Sequence, residues 1–431
     1  MELAGLSTDQ APPISAPVRF FLTAPIFAIF AGILILLSDS SILVSRFSID
    51  SIVITHVIAI GFFGFVMIGA IMQMLPVLAG VKIYKVETIA FYAHILLVLG
   101  VLCMVCGFYF SISFLNLAAL VCLVAGFLIV IIPMLIALRK VNNLSPTVKA
   151  INASLKFSVV IVLLGAYLLF GYASDTVSSV HIIIANIHSV WAVFGFVGLL
   201  IIGVAFQVIP MFYVAPRFKS FCKKRIVLII TSGLFVWAIL NIFLPEYTYI
   251  AKTWISLFFF AFATAVWVKL NNRRRPISDV TVWYWRFASI SMSVGFFAWL
   301  FNTYADDSYT VIISIIIGGG FIFSIMIGML YKIVPFLVWF HLNAKGYMNI
   351  PTMNEMTNKK IATMQFVLYI LSLVGFIVSY FYPSVLVFSA LSFIISMILL
   401  EYNIAKAVLV YVRTIKTKPD FDMSAFSMKV E

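Results

Sequence analysis

The sequence predicts an all-α polytopic membrane protein, with twelve transmembrane helices in three pseudo-repeated four-helix units. Three observations predict this fold class. The chain of 431 residues is 64% hydrophobic and only 10% charged, with a mean hydropathy of +1.16, which lies far outside the range of soluble proteins. Apolar stretches of membrane-crossing length recur along the chain, and one glycine–proline segment occurs three times.

The apolar stretches are long enough to cross a bilayer as helices. A helix needs about 20 apolar residues to span the hydrocarbon core, and loops or open strands would leave backbone groups without hydrogen bonds in lipid. We identify twelve stretches, at 19–44, 50–80, 88–110, 113–138, 155–173, 179–212, 226–244, 249–270, 282–302, 309–340, 361–381 and 384–411.

No low-complexity tract or long linker divides the chain, so the sequence predicts one membrane domain between two polar tails. The first residues lack the short apolar core and cleavage motif of a signal peptide and are expected to form a tail. The predicted parts are an N-terminal tail, a membrane domain with three units, and a C-terminal tail, at 1–18, 19–412 (units 19–138, 155–270 and 282–412) and 413–431.

Positive charge predicts the orientation of the helices, because loops rich in lysine and arginine stay on the cytoplasmic side. Connections after even-numbered stretches carry most cations, namely Lys82, Lys85, Arg139, Lys140, Lys149, Lys156, Arg217, Lys219, Lys223, Lys224, Arg225, Lys269, Arg273, Arg274, Arg275, Arg286, Lys345, Lys359, Lys360, Arg413, Lys416 and Lys418. The opposite connections carry Asp39, Asp50, Asp175, Glu246, Asp306 and Asp307, with only Arg46 and Lys252 as cations. Both termini are therefore expected in the cytoplasm of a bacterium, with the chain in its inner membrane. The net charge of +13 comes mostly from this asymmetry, not from a nucleic-acid-binding surface.

The repeated segment has the pattern G-F-x6-G-x6-P. It ends at Pro76, Pro210 and Pro335, which are 134 and 125 residues apart (210−76 and 335−210). This separation is about the length of four membrane helices with their loops, so the repeat indicates a threefold plan.

Side chains within the repeated segment allow several interpretations. Its glycines give a face without side chains, against which a neighbouring helix or a planar ligand can lie closely. The residue three before each proline is polar, namely Gln73, Gln207 and Lys332. These side chains are expected to bond carbonyls that a proline kink releases, and Lys332 has the alternative of reaching the membrane surface.

Histidine is scarce, with five in the chain, so its placement is informative. His56 precedes Pro76 by 20 residues and His188 precedes Pro210 by 22 (76−56 and 210−188). At about 1.5 Å per residue, the two imidazoles are expected at nearly equal depth in equivalent helices. Imidazole at such a depth is a candidate ligand for haem iron or copper. The alternative is that each ring bonds a backbone carbonyl and packs helices together.

The remaining candidate ligands carry less information. His181 lies seven residues before His188 on the same helix face and is a further candidate cofactor ligand. His94 and His341 are expected at the cytoplasmic interface. Cysteines at 103, 106, 122 and 222 are expected to be reduced, with Cys103 and Cys106 either packing or binding a soft metal. Glu401 is expected to pair with Lys406.

These segments resemble parts of a known architecture, haem–copper oxidase subunit I. The helix that begins at His56 (HVIAIGFFGFVMIGAIMQMLPVLAG) resembles the oxidase helix that carries a low-spin haem ligand. The stretches HSVWAVFGFVGLLIIGVAFQVIPMF and GGGFIFSIMIGMLYKIVPFLVWFHL are similar to glycine–proline helices of cbb3-type catalytic subunits and of the NnrS family of haem- and copper-containing membrane proteins. The resemblance implies the twelve-helix threefold fold, with His56 at the position of a low-spin haem ligand. His188 lies on the sixth helix, where the oxidases place a copper ligand, although its local sequence is more similar to their tenth helix. On this basis His56 and His188 are expected to be metal ligands.

The resemblance also shows what this chain lacks. The seventh and tenth stretches have no histidines where the oxidases place copper and haem ligands, and no His-x-x-x-Tyr pair is present. The resemblance therefore implies binding of haem or copper, without oxygen-reductase chemistry. It also implies a role in electron transfer or in nitric-oxide and respiratory stress, with partners among respiratory-chain or other membrane subunits.

One further function follows from other observations. The alternative to a redox role is a channel or transporter for a metal ion or small solute, with Asn116, Asn186, Asn241 and Asn302 among its candidate lining residues. Phosphate-binding loops, nucleophile triads and nucleic-acid motifs do not occur, so the sequence does not predict a soluble-type enzyme. Membrane lipid is the one partner that the composition itself predicts.

Overall fold

The computed structural model describes residues 10–274, 278–305 and 308–421, without the side chains of Ser40, Phe221 and Cys222, and these residues contain no β-strand. Parts of both predicted tails, together with Arg275, Asp306 and Asp307, lie outside the described residues. The long helices are α1 Ser15–Leu37, α2 Ile49–Ala79, α3 Val86–Tyr109, α4 Ser113–Leu138, α5 Pro146–Ala173, α6 Ser179–Tyr213, α7 Ser220–Phe243, α8 Thr248–Asn271, α9 Val280–Phe301, α10 Thr310–Ala344, α11 Lys359–Ser379 and α12 Leu386–Thr414.

Eleven helices of the described chain are long and apolar enough to cross a membrane, so this is a multi-pass membrane protein. Only α9 is absent from that set, although it is a helix of 22 residues. Its tyrosine, tryptophan and serine residues and Arg286 lower its mean hydropathy. One face of α9 is nevertheless buried, including Tyr284, Trp285 and Phe296.

Short connections join the helices, so consecutive helices run antiparallel. The start of α5 illustrates how local sequence sets a boundary. The helix begins at Pro146, nine residues before the predicted stretch at 155, because Ser145 caps it by accepting a hydrogen bond from Val148 N at 3.3 Å. Proline suits the first helical position, where no backbone hydrogen bond is lost.

We name the two ends of the helix bundle by their charges. The basic end carries the connections that follow α2, α4, α6, α8, α10 and α12, where the cations concentrate. The acidic end carries the other connections, including Asp39, Asp175 and Glu246.

Helix packing follows one pattern three times. The helices α1, α5 and α9 each pack against the helix that contains the next repeated segment, namely α2, α6 and α10. Each of them also packs against the last helix of another group of four, which is α12 for α1, α4 for α5 and α8 for α9. Since α1 contacts α12, the first and last helices of the chain are neighbours.

Each repeated segment contains a π-helix. The π-helical stretches are Val57–Gly64 in α2, Trp191–Gly198 in α6 and Ile315–Phe323 in α10. Each of them ends 12 residues before the proline of its segment (76−64, 210−198 and 335−323). The π-helix is rare and is frequently found at functional sites, so its recurrence at one position marks these three helices as special.

Three glycines of the segments lie in close contact with neighbouring helices. A Cβ atom on Gly61 would lie 2.5 Å from Phe27 of α1, and one on Gly195 would lie 2.6 Å from Phe157 of α5. On Gly320 it would lie 2.7 Å from Ser291 of α9. The glycine faces therefore let α1, α5 and α9 approach closely, which is the helix-packing interpretation of the pattern.

Among the described residues, the side-chain nitrogens of Gln73, Gln207 and Lys332 donate no hydrogen bond to a backbone carbonyl, so the predicted capping of released carbonyls is wrong. Gln73 Oε1 is buried without a hydrogen-bond partner. Lys332 Nζ lies 2.5 Å from Asp279 Oδ2 and forms an ion pair with it. The helices continue beyond the prolines, to Ala79, Tyr213 and Ala344, so the prolines do not end them.

The expected ion pair between Glu401 and Lys406 is wrong. Glu401 and Lys406 form no ion pair among the described residues, and Glu401 Oε2 is buried without a hydrogen-bond partner. The two residues are five apart in α12, a spacing that places them on different faces of a helix, whereas side chains three or four residues apart meet.

Candidate functional site

His56 is held by its own helix. It is the last residue of the α-helical part of α2, directly before the π-helical stretch Val57–Gly64. Its Nδ1 atom lies 2.7 Å from the carbonyl oxygen of Ile52, four residues earlier. Since a carbonyl only accepts, Nδ1 carries the hydrogen and Nε2 keeps its lone pair.

His188 is held by a neighbouring helix. Its Nδ1 atom lies 3.1 Å from the carbonyl oxygen of Ile161 in α5, so this ring also presents Nε2 as the nitrogen with a lone pair. The ring lies against Gly165, where an added Cβ atom would be 3.0 Å from His188 Cε1. The absence of a side chain at Gly165 therefore leaves room for the imidazole.

The structure brings these two histidines together. The centres of the His56 and His188 rings lie 6.2 Å apart, and the ring planes differ by 22°. An ion bound by one nitrogen of each ring would set the centres about 6 Å apart, because metal–nitrogen bonds are about 2.0–2.1 Å and each nitrogen lies about 1.1 Å from its ring centre. The observed separation of the ring centres is therefore close to the length expected for a nearly linear nitrogen–ion–nitrogen arrangement.

His181 lies apart from this pair. It faces α5, where its ring centre is 6.2 Å from that of Tyr167 and 5.2 Å from that of Tyr172. Seven residues separate it from His188, about 10 Å along the helix. The imidazole is 6% exposed and its Nε2 has no hydrogen-bond partner. A single ion bound by the pair therefore does not include His181.

The other two histidines are further away from the pair and near the basic end. Nε2 of His94 lies 2.8 Å from Thr23 Oγ1, and the ring packs edge-on against Phe20 and Phe65. His341 lies in the last turns of α10, beside Phe340. Both positions agree with packing roles at that end of the bundle.

One arginine that the sequence analysis did not single out as functional contacts α6, the helix that carries His188. The Arg46 side chain, from the α1–α2 connection, donates a hydrogen bond to Asn186 Oδ1, and Asn186 precedes His188 by two residues. Asn186 Nδ2 in turn lies 3.5 Å from Asn241 Oδ1 of α7. The scarcity of cations at the acidic end was the signal that could have identified Arg46.

Metal-ligand types are sparse elsewhere in the described residues. No group of three or more histidine, cysteine, aspartate or glutamate side chains there could hold a metal ion. A site at His56 and His188 therefore has two protein ligands from these residue types. The cysteines at 103, 106 and 122 are free thiols, and Cys222 has no described side chain.

The fit to a haem is poorer than the fit to an ion. A macrocycle that lay on the glycine faces of α2 or α6 would need the space that Phe27 and Phe157 fill at Gly61 and Gly195. The two imidazoles themselves remain suitable axial ligands, since both rings present Nε2. The residues present therefore fit a copper ion directly and fit haem only by their ligand type.

The third repeated segment has apolar residues where the others have histidines. Ile315 precedes Pro335 by 20 residues and Ile313 precedes it by 22 (335−315 and 335−313). Instead, Phe323 of α10 stacks on Phe62 of α2, with ring centres 4.0 Å apart. The contact joins the first and third repeated segments through apolar surface.

A buried polar network distinguishes the last four helices. Tyr284 Oη donates to Gln365 Oε1 at 2.5 Å, and Tyr331 Oη donates to the same oxygen at 3.4 Å. Gln365 Nε2 donates to Ser396 Oγ at 2.9 Å. Gln365 and Ser396 are 0% exposed. The network thus links α9, α10, α11 and α12 inside the membrane-spanning part.

The asparagines that the sequence offered as pathway residues mostly have local partners. Asn302 Oδ1 accepts a hydrogen bond from Tyr309 N at 3.0 Å, and Asn186 and Asn241 bond each other. Asn116 packs against Gly107, and its Oδ1 is buried without a partner. These four residues do not form one continuous set of hydrogen bonds.

Comparison with known proteins adds no relative. No protein-family model matches the chain. No curated protein sequence matches it significantly.

Proposed function

We propose that this chain is a copper- or haem-binding integral membrane protein on an oxidase-like scaffold. Its role would be electron transfer or the response to nitric oxide and respiratory stress, without oxygen-reductase chemistry. The single observation that carries the proposal is the 6.2 Å separation of the His56 and His188 rings. Two ionisable side chains that meet at membrane depth are functional candidates by default.

The surroundings of the pair support a ligand role. Both Nδ1 atoms are held by backbone carbonyls, which fixes the ring orientation and leaves Nε2 for a metal. A copper ion or haem iron bound there supplies one-electron redox chemistry. The protein holds the two imidazoles, which are half-buried. The occupied glycine faces favour copper over haem.

The membrane arrangement is part of the same proposal. The basic end would face the cytoplasm of a bacterium, so that the histidine pair, which lies towards the acidic end, would be near the outer face of the inner membrane. The packing of α1, α5 and α9 and the recurring π-helices support three four-helix units. The helix α9 would then be the twelfth membrane span.

A spectrum and a metal analysis test the proposal. The protein is purified without chelators, loaded with Cu(I) under anaerobic conditions, and analysed for copper and for the reduced haem absorption band. We expect about one bound group per chain in the wild type and none in His56→Ala/His188→Ala. The matched control His94→Ala/His341→Ala should retain it. A folded wild type with neither copper nor a haem band would overturn the proposal.

Transport is the second candidate, and the network around Gln365 favours it. Hydroxyl and amide groups buried in a membrane protein frequently mark a solute or ion path. Liposomes with an entrapped copper-sensitive dye, and a light-scattering assay with glycerol, would measure flux. A path through the network predicts that Gln365→Leu lowers flux while His56→Ala/His188→Ala does not. Flux equal to that of protein-free liposomes would remove this candidate.

A further inference from the structure

Two connections at the basic end come together in the fold. Arg274 N, in the α8–α9 connection, donates a hydrogen bond of 3.1 Å to the carbonyl oxygen of Val214, in the α6–α7 connection. Lys269 Nζ, near the end of α8, lies 6.0 Å from the ring centre of Phe218. These contacts make one surface from residues that are more than fifty positions apart.

The surface is strongly basic. Five residues between positions 217 and 225 are lysine or arginine, and none is acidic. Arg217, Lys219 and Lys224 are exposed, and Lys269 and Arg274 add charge from the second connection. Asp279, the acid that follows the second connection, is bound to Lys332 of α10. The described neighbourhood therefore holds a concentrated positive charge.

Two other basic connections are diluted by acids. Glu355 lies between Lys345 and Lys359 in the α10–α11 connection, and Asp420 follows Lys416 and Lys418 after α12. Scattered cations such as those are enough to orient the helices by the positive-inside rule. The density at the α6–α7 connection exceeds what orientation requires, which points to a partner with concentrated negative charge.

Aromatic residues place this surface at the level of lipid headgroups. Trp267 precedes Lys269 by two residues and is 36% exposed on α8, a helix apolar enough to cross a membrane. Tryptophan is enriched at the boundary between hydrocarbon and headgroups. Phe218 is 7% exposed and anchors the basic connection to the helix bundle. The anions nearest to cations at this depth are lipid phosphates.

We propose that the surface formed by Arg217, Lys219, Lys223, Lys224, Lys269 and Arg274 binds the headgroup of an anionic phospholipid. The lysines and arginines would contact the phosphate, and the acyl chains would lie along the apolar side of α7 and α8. This inference is independent of the histidine pair and of any metal. A bound lipid would tie together two connections that a single backbone hydrogen bond now joins.

Native mass spectrometry in detergent tests this proposal, with phosphatidylglycerol and phosphatidylcholine of identical acyl chains as the probes. The wild type should retain phosphatidylglycerol and not phosphatidylcholine. Lys219→Gln/Lys223→Gln/Lys224→Gln should weaken that retention by at least about ten-fold, since each cation near a membrane surface contributes on the order of a five-fold gain in affinity. The control Lys359→Gln/Lys360→Gln/Lys416→Gln removes as many charges elsewhere at the same end and should retain the lipid.

Three results would overturn the proposal. The first is equal retention of the two lipids, and the second is an equal effect of the two triple variants. The third is displacement of the lipid by millimolar inorganic phosphate, because that result would indicate a site for free anions. A melting curve checks that each variant is folded. If the triple variant does not fold, wild-type retention measured against salt concentration decides, because binding by exposed cations must weaken as salt rises.

Discussion

Lys332 Nζ lies 2.5 Å from Asp279 Oδ2, so the cation of the third repeated segment is bound by the residue that precedes α9. Asp279 also accepts hydrogen bonds from Thr281 N and Val282 N and caps that helix. Thr281 Oγ1 in turn accepts a hydrogen bond of 3.0 Å from Tyr213 Oη at the end of α6. One carboxylate therefore joins the ends of α6, α9 and α10.

The first prediction concerns the pH dependence of this junction. Burial of Asp279 would raise the pKa of its carboxyl, but the Lys332 ammonium, with hydrogen bonds from Lys332, Thr281 and the Val282 amide, holds that pKa below its ordinary value of 3.8. Because the folded-state pKa is lowered, the stabilisation is fully present above the unfolded pKa. It is lost as the pH falls below about 4 and through the folded-state pKa.

Asp279→Asn isolates the charge, because asparagine is also a good helix cap. The Asp279 side chain is 41% exposed and Lys332 14% exposed, so screening reduces the expected loss to about 1 kcal/mol near neutral pH. The measurement is the melting temperature in detergent between pH 3 and 7. The variant should lose stability at neutral pH and show a smaller acid-induced drop than the wild type. Parallel pH curves for both proteins would contradict the prediction.

The second prediction concerns the glycine faces. Gly320→Ala places a Cβ atom 2.7 Å from Ser291, whereas Gly318→Ala meets nothing within 4 Å. The first change should cost about 1–3 kcal/mol because α9 must move away. Gly318→Ala is the control and should leave the free energy of unfolding unchanged or raise it slightly, because alanine has a higher helix propensity than glycine. Thermal unfolding of both variants in the same detergent gives the comparison, and equal melting temperatures would refute the packing argument.

The third prediction concerns the carbonyls of the π-helices. Tyr369 Oη donates a 2.6 Å hydrogen bond to Gly319 O in α10, and Ser154 Oγ donates a 2.8 Å hydrogen bond to Phe196 O in α6. These donors lie on neighbouring helices and satisfy carbonyls within the π-helical stretches. Tyr369→Phe and Ser154→Ala should each cost about 0.6–1.7 kcal/mol, the range measured for hydrogen bonds between membrane helices.

Tyr402→Phe is the matched control for Tyr369→Phe, because Tyr402 is 51% exposed. Denaturation in a detergent series gives the free-energy differences, and hydrogen exchange at the π-helical amides reports where the loss occurs. Faster exchange in α10 for Tyr369→Phe and in α6 for Ser154→Ala is expected. An effect of the same size from Tyr402→Phe would show that hydroxyl loss in general, not carbonyl capping, destabilises the protein.

The sequence was sufficient to predict the membrane class and to place His56 and His188 at a similar depth, and their ring centres lie 6.2 Å apart. An apolar stretch of about 20 residues directly indicates a membrane-spanning helix. The similar number of residues between each histidine and the proline of its segment indicates a similar depth in the membrane. Neither signal depends on distant residues. The three-unit organisation, the membrane orientation and any bound cofactor stay predictions.

Other features could not be read from the sequence because they depend on residues that are distant in the chain. Asp279 is 53 residues from Lys332, and nothing local indicates that the two meet. The π-helical stretch Val57–Gly64 is apolar throughout, as is most of the α-helical part Phe65–Ala79 that follows it, so an apolar sequence does not mark where the π-helix begins and ends. Whether a glycine face receives a ligand or a phenyl ring is decided by α1 and α5, which supply Phe27 and Phe157.

The last prediction links packing to the proposed metal site. Gly165 lies against the His188 ring, where a Cβ atom would be 3.0 Å from Cε1. Gly165→Val should displace the ring from its 3.1 Å contact with Ile161 O and change its 6.2 Å distance to His56. Both candidate ligands remain in this variant. Copper affinity at equilibrium should therefore fall by about ten-fold or more, in the range seen when groups that orient a ligand are lost.

The control is Gly233→Val in α7, where a Cβ atom would lie 3.2 Å from Trp254 and no histidine is in contact. It introduces similar crowding between helices and should lower stability without lowering affinity. Competition with a Cu(I) chelator measures the affinity, and the melting temperature measures the crowding. If both variants bind copper as the wild type does, the position of the His188 ring does not set the affinity. If His56→Ala/His188→Ala also binds equally, the ion is held elsewhere and the proposed site is wrong.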